Sequence, residues 1–170
     1  MKSPASGKGS QLCWKKFEGP DVMNPISRLL TLDANVLIAA ARQNERTSEK
    51  CAEILSKIPE LFVLTEPSII YQEVCGTLAR KTGLEEANVA RKYLDLIIQP
   101  KMLNVCDRNL CVSAFNLCSE YKIYAIDAVY LQVALANSAV LVSLDEEDFI
   151  DKLKDKDLPI EAYSVSDFPY

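Results

Sequence analysis

From residue 28 onward, short apolar runs alternate with longer amphipathic stretches. Residues 29–32 are Leu-Leu-Thr-Leu, which predicts a short buried strand ending at Asp33. Residues 34–42 and 48–58 read as helices, the second with Cys51, Ile54, Leu55 and Ile58 on one stripe. Residues 62–65 form a second strand. Pro67 stands where a helix begins, and that helix runs on to Gly83, a residue suited to ending one. Residues 84–98 predict a further helix closed by Pro100, and residues 102–106 a third strand. Residues 109–121 are helical, with Leu110, Ala114, Leu117 and Cys118 aligned. Residues 127–137 predict a helix with almost no polar face, which must be buried on most sides. Residues 139–143 and 160–165 are the fourth and fifth strands, with a short amphipathic turn or helix at 149–153 between them. Apolar strands alternating with helices predict an α/β fold with a mainly parallel sheet covered on both faces.

Residues 1–27 break this pattern. They carry Pro4, Gly7, Gly9, Gly19, Pro20 and Pro25 without periodicity, and read as a flexible N-terminal tail ahead of one domain over 28–170. Met23 offers a natural start just before the first strand, while Trp14 and Phe17 could dock the tail on the domain. The chain has 170 residues, 49% of them hydrophobic and 25% charged, enough for one real core and too apolar for disorder. No apolar run approaches the roughly 18 residues of a membrane helix and no leader pattern is visible, so a soluble, cytoplasmic protein is expected.

The absence of histidine changes the chemistry most. It removes Ser-His-Asp and Cys-His catalysis, histidine-paired RNA cleavage and histidine zinc sites together. The six cysteines, Cys13, Cys51, Cys75, Cys106, Cys111 and Cys118, form no C-x-x-C pair, so they read as reduced, small apolar residues. A hydrolase built from this chain must use carboxylates, lysines, hydroxyls or a metal held by oxygen. The net charge of −5 argues against a general nucleic-acid binder, but local faces decide such binding, and metal ions would offset several acids.

In a parallel sheet, ligand sites form beyond the carboxyl ends of the strands. Asp33 and Asp145 each follow an apolar strand there. Asp127 opens the helix without a polar face, and Glu73 lies in a helix between Ile69, Ile70, Gly76 and Thr77. Singly, each Asp reads more simply as a helix cap and Glu73 as a surface residue. Jointly, four converging carboxylates repel unless a cation sits between them, and oxygen-preferring Mg²⁺ or Mn²⁺ is the natural choice. Asn35 stands where a haloacid-dehalogenase-type phosphatase needs a second Asp, and no glycine-rich turn follows Asp33 to cradle a nucleotide.

The segment Thr31-Leu32-Asp33-Ala34-Asn35-Val36-Leu37-Ile38 resembles the opening motif of PIN-domain nucleases. Tyr71-Gln72-Glu73-Val74, Ala125-Ile126-Asp127-Ala128-Val129-Tyr130-Leu131-Gln132-Val133-Ala134 and Leu141-Val142-Ser143-Leu144-Asp145-Glu146-Glu147-Asp148-Phe149 are similar to the family's later acidic motifs, in the family's order, over about residues 28–168. The resemblance implies a PIN-like three-layer α/β/α sandwich and a metal-dependent ribonuclease. Asp33, Glu73, Asp127 and Asp145 match the family's acidic quartet, which holds Mg²⁺ or Mn²⁺. Asn35 and Ser143 match its supporting polar residues. Asp148 is a second acid in the last motif, and either it or Asp145 could be nearer the metal. Cleavage would leave 5′-phosphate and 3′-hydroxyl ends.

Candidate RNA contacts are Arg42, Arg46, Arg80 and Lys81, each of which also reads as an ordinary helix-end charge. Small PIN proteins of this size resemble VapC-type toxins, which implies a homodimer blocked by an antitoxin protein. Three alternatives stay open: a stand-alone PIN ribonuclease in RNA processing or decay, a non-catalytic PIN-like binding module, and a DNA nuclease on the related fold.

Overall fold

The computed structural model describes residues 27–42 and 47–170. The expected tail therefore lies outside the described residues apart from Ser27, as does Arg46. A four-stranded parallel sheet forms the centre, in the order β2-β1-β5-β6, built from β1 (Arg28–Leu32), β2 (Phe62–Leu64), β5 (Val140–Ser143) and β6 (Ala162–Ser164). Leu30 to Leu32 and all of β5 are buried, although successive side chains point to opposite faces. Helices must therefore cover both faces, giving a three-layer α/β/α sandwich. The helices are α1 (Ala34–Ala41), α2 (Ser48–Leu55), α3 (Ile70–Lys81), α4 (Leu84–Ile97), α5 (Arg108–Tyr121), α6 (Ala125–Asn137) and α7 (Asp151–Lys154). Of these, α1 and α6 pack directly on the central strands. No helix among the described residues is long and apolar enough to cross a membrane.

Three expected elements differ. Pro67 does not begin a helix. Glu66–Pro67 forms a short strand, β3, which pairs in parallel with β4 (Leu103–Asn104), and α3 starts at Ile70. Proline has no N–H to give and its ring disfavours helix in the residue before it, so a two-residue edge bridge suits it as well as a helix start. The strand expected over 102–106 shrinks to β4 and stays outside the central sheet. Pro100 opens a 3₁₀ turn that takes up Met102, and the Cys106 N–H goes to Ser68 Oγ at 3.0 Å. The helix expected from Asp127 begins two residues earlier, at Ala125, so Asp127 lies inside its first turn. Gly83 closes α3 and opens α4 with φ of 117°, a backbone state that a side chain would strain.

The chain end closes over the edges. The rings of Phe168 and Tyr170 pack at 5.7 and 5.6 Å from Phe62 of β2, and at 6.1 and 6.5 Å from Tyr163 of β6, the two outermost strands. Arg28 and Glu161 pair at 2.7 Å beneath them, and both hydrogen-bond the Tyr170 hydroxyl.

Leu141 is fully buried at the middle of β5. Leu141→Ala should lower unfolding free energy by about 2–5 kcal/mol, through lost transfer energy and the cavity left behind. Urea denaturation measures this, and a loss under 1 kcal/mol would contradict the packing described.

Candidate active site

Asp33 leaves β1 at the carboxyl end of the sheet and is only 7% exposed. It occupies the N-cap position of α1, yet its side chain makes no capping hydrogen bond there. Its Oδ2 instead accepts from Ser143 Oγ and from Asn35 Nδ2, both at 2.6 Å. Asn35 Oδ1 in turn accepts the Leu144 N–H at 3.1 Å, and Ser143 Oγ accepts the Asp145 N–H at 3.0 Å. Burial raises the Asp33 pKa, the Ser143 bond opposes this, and the nearby charge of Asp145 adds to the rise.

Asp145 follows β5 and is half-buried. Here the capping reading holds for one oxygen, since Oδ1 accepts the Asp148 N–H at 3.0 Å at the start of a single π-type turn, Glu146–Ile150. Asp148 itself is exposed and pairs with Lys152 at 3.0 Å. Asp127 lies in the first turn of α6, where Tyr124 holds the cap position. Its Oδ2 is buried without a hydrogen-bond partner. Burial, then the charges of Asp33 and Asp145, push its carboxyl up to about 7, with Glu73 adding to the rise and the Tyr124 backbone N–H opposing it. Glu73, in the first turn of α3, accepts the Tyr130 hydroxyl at 2.6 Å. Burial raises its pKa, the tyrosine bond opposes this, and Asp33 adds to the rise.

The four expected acids therefore share one field at one end of the sheet, while Asp148 faces outward to a lysine. Asn35 and Ser143 both bind Asp33. Arg80 and Lys81 are exposed in the last turn of α3, about 10 Å along the helix axis from Glu73. Arg42 is half-buried at the end of α1, and its carbonyl accepts from Ser48 Oγ.

Three residues near the acids were missed in the sequence. Glu66 is fully buried, its Oε1 accepting the Leu32 N–H at 2.8 Å and its Oε2 without a partner. Burial pushes its pKa well up, the Leu32 N–H opposes this, and Asp33 adds to the rise. A charged residue closing the apolar run of residues 62–65 was the available signal. Tyr130 is fully buried, and burial together with Glu73 drives its hydroxyl far above the usual range, fixing it as a donor to Glu73. Its signal was a tyrosine three residues after Asp127 in a helix without a polar face. Lys152 was readable from its spacing four residues after Asp148.

A hard divalent cation suits these donors. All are oxygens, and Asp127 Oδ2 is a buried acceptor lacking a donor amid three other acids. Among the described residues, no three acids or thiols stand close enough to hold an ion by themselves. That spacing is compatible with Mg²⁺, which keeps several waters and takes only one or two carboxylates directly.

The family model for the PIN domain matches residues 30–155. Solved structures share the fold at low identity. FitAcB from Neisseria gonorrhoeae is 19% identical with a TM-score of 0.59, covering 82% of this chain and 99% of its own. VapC20 of Mycobacterium tuberculosis, described as a sarcin–ricin loop cleaving toxin, is 14% identical with a TM-score of 0.59, covering 70% and 91%. A toxin–antitoxin complex from Klebsiella pneumoniae is 19% identical with a TM-score of 0.53, covering 79% and 99%. No curated protein sequence matches the chain.

Asp127 titrates near 3.8 when unperturbed and near 7 here. Between those values the folded chain keeps a proton that the unfolded chain has lost, so this stabilising contribution is full below about 3.8 and lost as pH rises through 7. In EDTA, Asp127→Asn should melt above wild type at pH 8, with the gap closing towards pH 5. A gap independent of pH in thermal melts would contradict this.

Proposed function

The chain belongs to the PIN domain family, and on that footing we propose that it is a divalent-metal-dependent endoribonuclease, the toxin half of a toxin–antitoxin pair. The observation that carries the reading is the buried, unpartnered Asp127 Oδ2 set among Asp33, Asp145 and Glu73. Neutral core chemistry offers no reason to gather these groups, since each raises the cost of ionising another. A cation relieves that cost.

Asp33, Glu73, Asp127 and Asp145 would hold Mg²⁺ or Mn²⁺, with Asp148 at the margin. When bound, the ion supplies Lewis-acid charge to a phosphodiester and lowers the pKa of water. The chain's own residues prepare the place. Ser143 and Asn35 fix the rotamer of Asp33, so one oxygen is committed to the scaffold. Tyr130 fixes Glu73 from the core side. Asp127 must lose its proton to contribute full charge, which sets a rise in ion affinity between about pH 6 and 8. Arg42, Arg80 and Lys81 are proposed contacts to the RNA backbone, as is Arg46 outside the described residues.

The partner reading rests on the similar structures, one a toxin and one a toxin–antitoxin complex. By that likeness we propose an antitoxin partner, a homodimer and a cytoplasmic setting. Two proteins mixed from one operon and passed through a sizing column would test the pairing.

Wild type should cleave single-stranded RNA with Mn²⁺ or Mg²⁺ and stop in EDTA. Asp33→Asn should lose roughly 100-fold or more in kcat. Ser143→Ala, which removes the hydroxyl that orients Asp33 and accepts the Asp145 N–H, should cost about 10–100-fold in metal affinity or activity. Asp33→Asn retaining full activity at saturating Mg²⁺ would refute the assignment.

A further inference from the structure

Lys152 and Tyr124 meet at the rim of the acid cluster. The Lys152 Nζ lies 5.7 Å from the centre of the Tyr124 ring and 3.0 Å from Asp148 Oδ1. Tyr124 directly precedes α6 and is 63% exposed, and the next residue but one, Ile126, is 40% exposed. The two residues come from the two segments that carry Asp127 and Asp145. The Tyr124 backbone N–H favours the ionised form of Asp127, and Asp148, the partner of Lys152, donates its N–H to Asp145. Ring and ammonium thus bridge those segments on the solvent side.

A singly exposed aromatic is ordinary. This one differs in having a cation at its face and two of the site's acids on the adjoining backbone. A flat apolar face beside an ammonium matches a nucleotide, whose base stacks on the ring while its phosphate meets the charge. An acidic peptide would use the ammonium and leave the exposed ring without a partner. A duplex offers no free base face for stacking.

We propose that Tyr124 and Lys152 form a nucleobase subsite for single-stranded RNA, seating a nucleotide next to the phosphate presented to Asp33, Glu73, Asp127 and Asp145. This rests on the ribonuclease reading above. Stacking is tolerant of sequence, so the subsite favours unpaired over paired RNA and, by ring area, purines over pyrimidines.

The experiment compares full-length wild type, Tyr124→Ala, Tyr124→Trp and Lys152→Gln on a single-stranded oligoribonucleotide that wild type cleaves. The same oligonucleotide with an abasic residue beside the cleaved phosphate is run in parallel. Tyr124→Ala should raise KM about tenfold or more, the size of one base–aromatic stack, with kcat little changed. Tyr124→Trp should keep wild-type KM. The abasic site should raise KM for wild type and add nothing for Tyr124→Ala, because both remove the same contact. Lys152→Gln should flatten the dependence of binding on salt. Wild-type KM in Tyr124→Ala, with RNA still cleaved, overturns the subsite and leaves the ribonuclease standing. If wild type cleaves no RNA, the ribonuclease reading fails, and the subsite is then judged by quenching of a 2-aminopurine-labelled single strand. Equal quenching by wild type and Tyr124→Ala overturns it, and quenching lost only in Tyr124→Ala supports it.

Discussion

Hydrogen bonds from Ser143 and Asn35 to a single oxygen of Asp33 join the end of β1 to the end of β5, the two central strands of the sheet. The same serine hydroxyl accepts the Asp145 N–H, and the same asparagine accepts the Leu144 N–H. Two small polar side chains therefore set the separation of two acids that repel each other. Parallel strands place both chain ends on one edge, and this network turns that edge into a site of defined shape. Tyr130 and Glu66 extend the control inward, the first as a donor to Glu73, the second by holding the Leu32 N–H just before Asp33. The acids raise one another's cost of ionising, and neutral donors tie Asp33, Asp145 and Glu73 in place.

Much of this was legible in the sequence. Strands buried on both faces appear as continuous apolar runs, so β2, β5 and the buried end of β1 were readable, whereas the half-exposed edge strand β6 shows only the apolar residues 160, 162, 163 and 165 among polar ones. Strand ends in a parallel sheet mark sites, which singled out Asp33 and Asp145. What failed was local ambiguity. Pro67 fits the first turn of a helix and a short edge strand equally, and only the presence of β4 beside it decides between them. Glu66 was unreadable because a sequence pattern does not tell whether a charge at a strand end points inward. The outward turn of Asp148 depends on Lys152 one turn later, a pairing that spacing permits but does not require. Capping, the plainer account of each acid, holds for one oxygen of Asp145 and not for the Asp33 side chain.

The similar structures share the fold over 70–82% of this chain at 14–19% identity, so the scaffold accepts different apolar cores that keep its patterning. Selectivity must then come from the rim, where side chains contact whatever enters. Here the rim carries an exposed tyrosine and a lysine from two different segments, joined across the acids they flank.

The protons held by the metal-free cluster have a consequence in heat. With its carboxyl pushed up to about 7, Asp127 is partly protonated at neutral pH, and burial shifts Asp33, Glu66 and Glu73 in the same direction. A cation bound there, as proposed, would displace that proton into the surrounding buffer. The apparent enthalpy of loading will then track the ionisation enthalpy of whichever buffer is present. On that reading the site would exchange two kinds of positive charge, with the balance between them set by pH around 7.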